Sequence, residues 1–258
     1  MVRRFLRAAL RRVKEPMPPR LEPHALLVTP DAWERLAPLV AEARAEFPAF
    51  TVFRCDDERA LTAITGYTMH SGAIALGVRH ADGTVAELGE ALARIPFAGR
   101  DVLVAFDGVT QTDNVGAIFR NAASFGARGA ILSHRASDPF LRKTLRVSMG
   151  RALNIPWARA ESDDWPACLA RLRDEHGYAI VAAEDTPDAT PLASFRPPAK
   201  SVVVFGAEED GVSRAVLEIA DRVVKIPMSD LAGALSDDPP SLNVSIASAV
   251  VLHALTAG

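Results

Sequence analysis

Arg120 is the side chain in this sequence best placed to act on something outside its own helix. In "DNVGAIFRNAASFG" (113–126), Val115, Ile118, Phe119, Ala122 and Phe125 recur at helical spacing, and Arg120 points nearly opposite them. Asp113 reads as the N-cap of this three-turn helix and Gly126 as its C′ residue. The neighbours of Arg120 at i±3 and i±4 are Gly116, Ala117, Ala123 and Ser124, all small, so no acid on its own helix pairs with it. On this stretch alone a plain solvated arginine reads equally well.

A second stretch, "VVVFGAEEDGVS" (202–213), runs a hydrophobic strand into Gly206 and places Gly211 five residues later. A phosphate-binding loop needs lysine after that second glycine, and Val212 stands there. Glu208, Glu209 and Asp210 would face phosphate oxygens with carboxylates, each repelling by on the order of 4 kcal/mol in a partly desolvated site. No G-x-G-x-x-G follows a strand either, so neither nucleotide cradle is supported, and a cationic or polar ligand stays open. The third stretch is "IPMSDLAGALSDDPPSLNVSIASAVVLHAL" (226–255). Pro239 and Pro240 end a loop, Ser241 or a near neighbour begins a helix, and Asn243 falls in its first turn. Beyond it the helix is apolar on nearly every side and rich in small residues, which predicts burial and close packing on another helix, a subunit partner included.

The elements that position these residues form two blocks. Strands at 25–29, 51–55 and 72–79, with helices from Pro30 to about Phe47 and near 57–65, make a small α/β unit. "ARIPFAGR" (93–100) reads as a linker. Strand-like runs at 101–108, 129–134, 178–184, 201–208 and 222–228 then alternate with helical patterns at 114–125, 138–152, 162–176, 211–220 and 241–255. Continuous apolar strands alternating with helices predict a mostly parallel sheet covered on both faces. Ligands gather at the carboxyl ends of such strands, near Asp107, Glu208 and the segment after Met228.

Composition narrows the function. The 258 residues, 49% hydrophobic and 24% charged, describe a globular chain with no apolar run long enough to cross a bilayer. Cys55 and Cys168 are too few for a disulfide framework, and the six histidines show no metal-ligand spacing, so no metal is expected and the cytoplasm is the natural compartment. The net charge of −3 excludes a basic nucleic-acid coat. Local basic clusters do occur, one in residues 1–20 and one made of Arg135, Arg142, Lys143, Arg146 and Arg151. They suit a modest polyanion footprint, or equally a solvated helix face. Residues 1–21 read as a basic leader whose order the sequence leaves open.

Taken in order, "NVGAIFRNA" (114–122), "VVFGAEEDGVS" (203–213) and "IPM…SLNVSIA" (226–228, 241–247) resemble the three motifs of the SpoU-type methyltransferases of the SPOUT superfamily. "ITGYTMHSGAIALGVR" (64–79) is similar to the end of the small RNA-binding domain that precedes the catalytic domain in many members. The resemblance implies an α/β fold in which a SPOUT domain with a deep trefoil knot (96–258) follows a small α/β RNA-binding domain (22–95). It also implies methyl transfer from S-adenosylmethionine to a ribose 2′-hydroxyl of structured RNA, ribosomal before transfer RNA, by a homodimer. A catalytically silent RNA-binding relative is the alternative. By the same resemblance Arg120 activates the hydroxyl, Glu208 and Asn243 orient Arg120 and the substrate, and Asn114 and Ser241 position the ribose. Gly206, Ile226, Met228 and Leu242 would line the cofactor pocket, and Arg142, Lys143 and Arg146 would meet the RNA backbone. Two departures stand out: Glu209 occupies a position where the family has glycine, and a long loop of twelve residues separates Met228 from Ser241.

Overall fold

Two runs of β-branched and aromatic residues, Asp101–Asp107 and Lys200–Gly206, pair in parallel along their whole length and form the centre of the larger of two units. The computed structural model describes residues 1–66, 71–229 and 240–256. The chain divides into Met1–Asp82 and Gly83–Gly258.

The first unit is a three-stranded sheet in the order β2-β1-β3, with β1 (Leu21–Val28) parallel to β2 (Thr51–Arg54) and antiparallel to β3 (Ala73–Arg79). Its helices are α1 (Val2–Lys14), α2 (Pro30–Glu46) and α3 (Glu58–Thr65). The basic leader, whose order the sequence leaves open, is mostly helix: α1 buries Phe5, Leu6, Ala8, Ala9 and Leu10 against α2 and the sheet. Its arginines alternate with an apolar stripe at helical spacing, and that stripe, not the charge, decides its fate. The boundary between units also falls earlier than the expected residue 95. Thr84 opens α4 (Val85–Ala93) with a capping box closed by Glu87, and α4 belongs to the second unit.

The second unit carries a seven-stranded sheet in the order β6-β5-β4-β9-β7-β10-β8, and each pair is parallel. Its strands are β4 (Asp101–Asp107), β5 (Gly129–Leu132), β6 (Trp157–Arg159), β7 (Ala179–Ala183), β8 (Thr190–Pro191), β9 (Lys200–Gly206) and β10 (Arg222–Lys225). The helices are α5 (Thr112–Ser124), α6 (Arg142–Val147), α7 (Ala167–His176), α8 (Arg214–Ile219) and α9 (Val244–Thr256). Alternate residues of one strand serve opposite faces. Val102, Val104 and Phe106 pack with Ile118, Phe119 and Ala122 of α5 and with Val251, Leu252 and Leu255 of α9. Leu103 faces the other way, towards Leu92 of α4, beside which α7 lies. The short β6 and β8 were not expected, because three and two residues carry no periodicity to read. The helix expected over 138–152 is only α6 and a 3-10 turn at Arg151–Leu153; Pro139 precedes it, and Gly150 lies in the left-handed region at φ 74°.

The amino ends of the strands are tied by one buried network. Arg128 pairs with Asp101 at 2.5 Å and donates to the carbonyls of Leu92 and Ile95, closing the end of α4. The Tyr178 hydroxyl donates to the same Asp101 oxygen at 2.8 Å. Burial, and then the Asp101 carboxylate, raises the Tyr178 phenol above its ordinary pKa. A folded state that keeps this proton while the unfolded chain loses it binds more protons above pH ~10, so stability falls as pH rises through that region. Tyr178→Phe should cost roughly 1–2 kcal/mol at neutral pH and flatten that alkaline decline. Urea midpoints between pH 7 and 11 test this, and parallel declines in both proteins would refute the assignment.

Candidate active site

The carboxyl ends of β4, β9 and β10 lie side by side or one strand apart, and the three motifs leave from those ends. The loop after β9 is tight. Ala207 and Gly211 exchange backbone hydrogen bonds at 3.0 and 3.1 Å, and Gly211 has φ 65°. A Cβ on Gly206 would overlap the Gly211 carbonyl and the Val212 amide, so the glycine is required by its own loop. The turn projects Glu208 over the start of α5.

There Asn114, buried in the first turn of α5, donates through Nδ2 to Glu208 Oε2 at 3.2 Å. Asn243 Nδ2 donates both to Asn114 Oδ1 at 3.1 Å and to Glu208 Oε1 at 3.3 Å. An ionised carboxylate only accepts, which fixes both amide orientations. Asn243 precedes α9, contrary to its expected place in the first turn, because its Oδ1 caps the helix: it accepts from Ser245 N at 2.9 Å and Ser245 Oγ at 2.6 Å. Asp113 is likewise not the N-cap of α5; Gln111 is, and Asp113 pairs with Lys143 of α6 at 2.6 Å.

Arg120 does not join this triangle. It lies six residues beyond Asn114, a rotation of roughly 240° and about 9 Å along the axis, and it is exposed. Among the described residues its guanidinium has no hydrogen-bond or ion-pair partner. Glu208 and Asn243 therefore orient Asn114 and each other, and do not contact Arg120 as expected. Ser241 is exposed, Leu242 is 39% exposed, Met228 is half-buried, and Ile226 packs against the core just past the end of β10. The loop from Met228 to Ser241 lies mostly outside the described residues.

Close packing sets the basic cluster beside α5. A Cβ on Gly116 would come within 2.8 Å of Val147 Cβ and 2.9 Å of the Thr144 carbonyl, so only glycine lets α6 lie this close. Arg142, Lys143 and Arg146 are exposed on α6. Sequence reasoning missed Asn121, whose Nδ2 donates to the Ser245 carbonyl at 2.7 Å and Ser248 Oγ at 2.9 Å, locking α9 to α5. It also missed Glu184, which accepts from Val212 N at 2.6 Å. Asp107, noted only for its place at a strand end, accepts from Ser213 N at 2.7 Å and from Trp165 Nε1 at 2.9 Å. A polar residue on the inner side of a predicted helix was the available signal for Asn121; nothing local marks the other two bonds.

A model of the SpoU rRNA Methylase family matches residues 101–253. The chain is 32% identical over 202 residues to an uncharacterized tRNA/rRNA methyltransferase of Mycobacterium tuberculosis, covering 76% of this chain and 63% of that protein. A counterpart from Mycobacterium avium is 34% identical over 233 residues, covering 86% and 66%. The chain thus spans less than two thirds of the length of these curated relatives. Among solved structures, an AdoMet-bound rRNA methyltransferase from Sinorhizobium meliloti superposes with a TM-score of 0.72 at 21% identity, over 96% of this chain and 84% of that one. The SpoU methyltransferase AviRb from Streptomyces viridochromogenes, in complex with AdoMet, gives 0.69 at 22% identity, over 97% and 87%. At those identities the likeness is one of fold.

Proposed function

This chain belongs to the SpoU rRNA methylase family, and we propose that it methylates a ribose 2′-hydroxyl of structured RNA, ribosomal before transfer RNA, using S-adenosylmethionine. The observation that carries this reading is the Asn114–Glu208–Asn243 triangle, which joins all three motifs and stands on the helix that also presents the exposed Arg120 guanidinium.

The residues present fit the cofactor. Three consecutive carboxylates, Glu208 to Asp210, suit a cationic sulfonium. Gly206, Ile226, Met228 and Leu242 bring strand-end backbone and apolar side chains to the same edge. When bound, S-adenosylmethionine supplies the methyl group on an electron-poor sulfur. The protein's own work is mostly positioning. A guanidinium keeps its proton at any working pH, so Arg120 serves by stabilising negative charge as it develops on the 2′-oxygen, or by gripping the adjacent phosphate. Asn114 and Ser241 place the ribose, and Glu208 holds Asn114 and Asn243 in register. The same reading includes the trefoil knot. In its support, the chain leaves β10 on one side of β9 and returns as α9 to pack on α5.

The test is transfer of labelled methyl from S-adenosylmethionine to unmodified ribosomal and transfer RNA. Label should enter one fraction, protect the modified linkage from alkaline cleavage, and fall at least 100-fold with Arg120→Ala. No label in either fraction, with S-adenosylhomocysteine still bound, would replace this reading with a silent RNA-binding relative.

Arg142, Lys143 and Arg146 meet the RNA backbone in this reading, supported by their exposure beside Arg120's helix. Lys143→Glu with Arg146→Glu should weaken RNA binding and lower the salt slope by roughly one for each phosphate that the variant no longer neutralises. An unchanged slope returns the cluster to a solvated face. In the same reading the small unit at residues 1–82 binds RNA as well.

The homodimer has its support in α9. Ile246 and Val250, four residues apart on α9, are 54% and 40% exposed, a short apolar stripe that a subunit partner would cover. Ile246→Glu with Val250→Glu should yield a folded monomer by sedimentation equilibrium; an unchanged mass would remove the stripe from the interface.

A further inference from the structure

Strand β9 is flanked by β4, which ends in Asp107, and by β7, which Glu184 follows, and both carboxylates reach the loop leaving β9. From the β4 side, Asp107 Oδ2 accepts from Ser213 N at 2.7 Å. From the β7 side, Glu184 Oε2 accepts from Val212 N at 2.6 Å, and Glu184 lies against Gly211 where a Cβ would stand. Two acids on opposite sides thus hold two consecutive amides of one loop. Asp107 is itself fixed, since its other oxygen accepts from Trp165 Nε1.

This arrangement has an electrostatic cost that a merely structural loop would avoid. Glu184 and Asp107 add negative charge beside Glu208, Glu209 and Asp210. Neutral acceptors such as carbonyls would hold the same amides without that repulsion. Charge-assisted bonds are shorter and stiffer than neutral ones, which is what a loop gains when its shape must be fixed before a ligand arrives. Surplus negative charge also favours a cationic ligand at this edge.

We propose that Asp107 and Glu184 are positioning residues: they clamp the Ala207–Ser213 loop from both sides, and so preset Glu208 and the cofactor pocket. The clamp's role rests on the cofactor reading of this site. Neither residue touches the reacting atoms. Their effect passes through Val212 N and Ser213 N to the Gly206–Gly211 turn, and from there to the Asn114–Glu208–Asn243 triangle.

Glu184 offers a discriminating test, because glutamine keeps one carbonyl oxygen for Val212 N and alanine keeps none. Two readouts are needed on wild type, Glu184→Ala, Glu184→Gln and Asp107→Ala: hydrogen exchange in the peptide spanning 207–213, and S-adenosylhomocysteine affinity by calorimetry. Expected for Glu184→Ala and Asp107→Ala is at least tenfold faster exchange confined to that peptide, with at least tenfold weaker binding. Glu184→Gln keeps an acceptor for Val212 N but loses the charge, so it should recover part of both losses and fall between wild type and alanine. Exchange unchanged by either alanine, exchange raised equally in every peptide, or failure of glutamine to rescue would each overturn the proposal. If wild type binds no S-adenosylhomocysteine, the cofactor reading fails instead, and the exchange measurement alone decides whether the clamp exists.

Discussion

A carboxylate can accept hydrogen bonds but cannot donate one, and the second unit is arranged around that restriction at Glu208. Each of its two oxygens takes one amide proton, from Asn114 and from Asn243. The amides can satisfy it only if α5, the loop after β9 and the start of α9 arrive at one point. Parallel pairing of β4 with β9, residue by residue from Asp101–Lys200 to Asp107–Gly206, brings two of the three there. The third is held by Asn121, which binds the first turns of α9 from the middle of α5.

Charge at this end of the sheet is largely sorted, apart from pairs such as Lys143–Asp113 and Lys225–Asp185. Carboxylates crowd the strand ends and the loop after β9, while the cations Arg120, Arg142, Lys143 and Arg146 stand on α5 and α6. A ligand bearing a positive centre and one bearing phosphates would be drawn to different parts of one edge. Gly116 maintains that spacing, since any side chain there would push α6 from α5.

Much of the larger unit is legible in the residues themselves. Long apolar runs at 101–107 and 200–206 admit only buried parallel strands, and the stripe on 114–125 admits only a helix lying on them. Glu208 and Asn243 stand out as polar residues at a strand end and a helix start, whereas Asn114 enters only through the resemblance of its motif. What is not legible depends on partners distant in sequence. Glu184 and Asp107 make their bonds 28 and 106 residues away, and no local pattern encodes such a choice. The first helix misleads for the opposite reason: its charge is conspicuous, and it hides the stripe of Phe5, Leu6, Ala9 and Leu10. Motif order suggests that Arg120 stands among the acids, whereas helical rotation turns it away.

The three bonds of the triangle join residues 94, 129 and 35 positions apart. Contacts so distant in sequence are slow to form, because a large loop must close before anything rewards it. On a growing chain the strands can pair before Asn243 is synthesised, but the α5 stripe is fully covered only once α9 arrives. The three-way meeting at Glu208 is therefore among the last contacts that a nascent chain can complete.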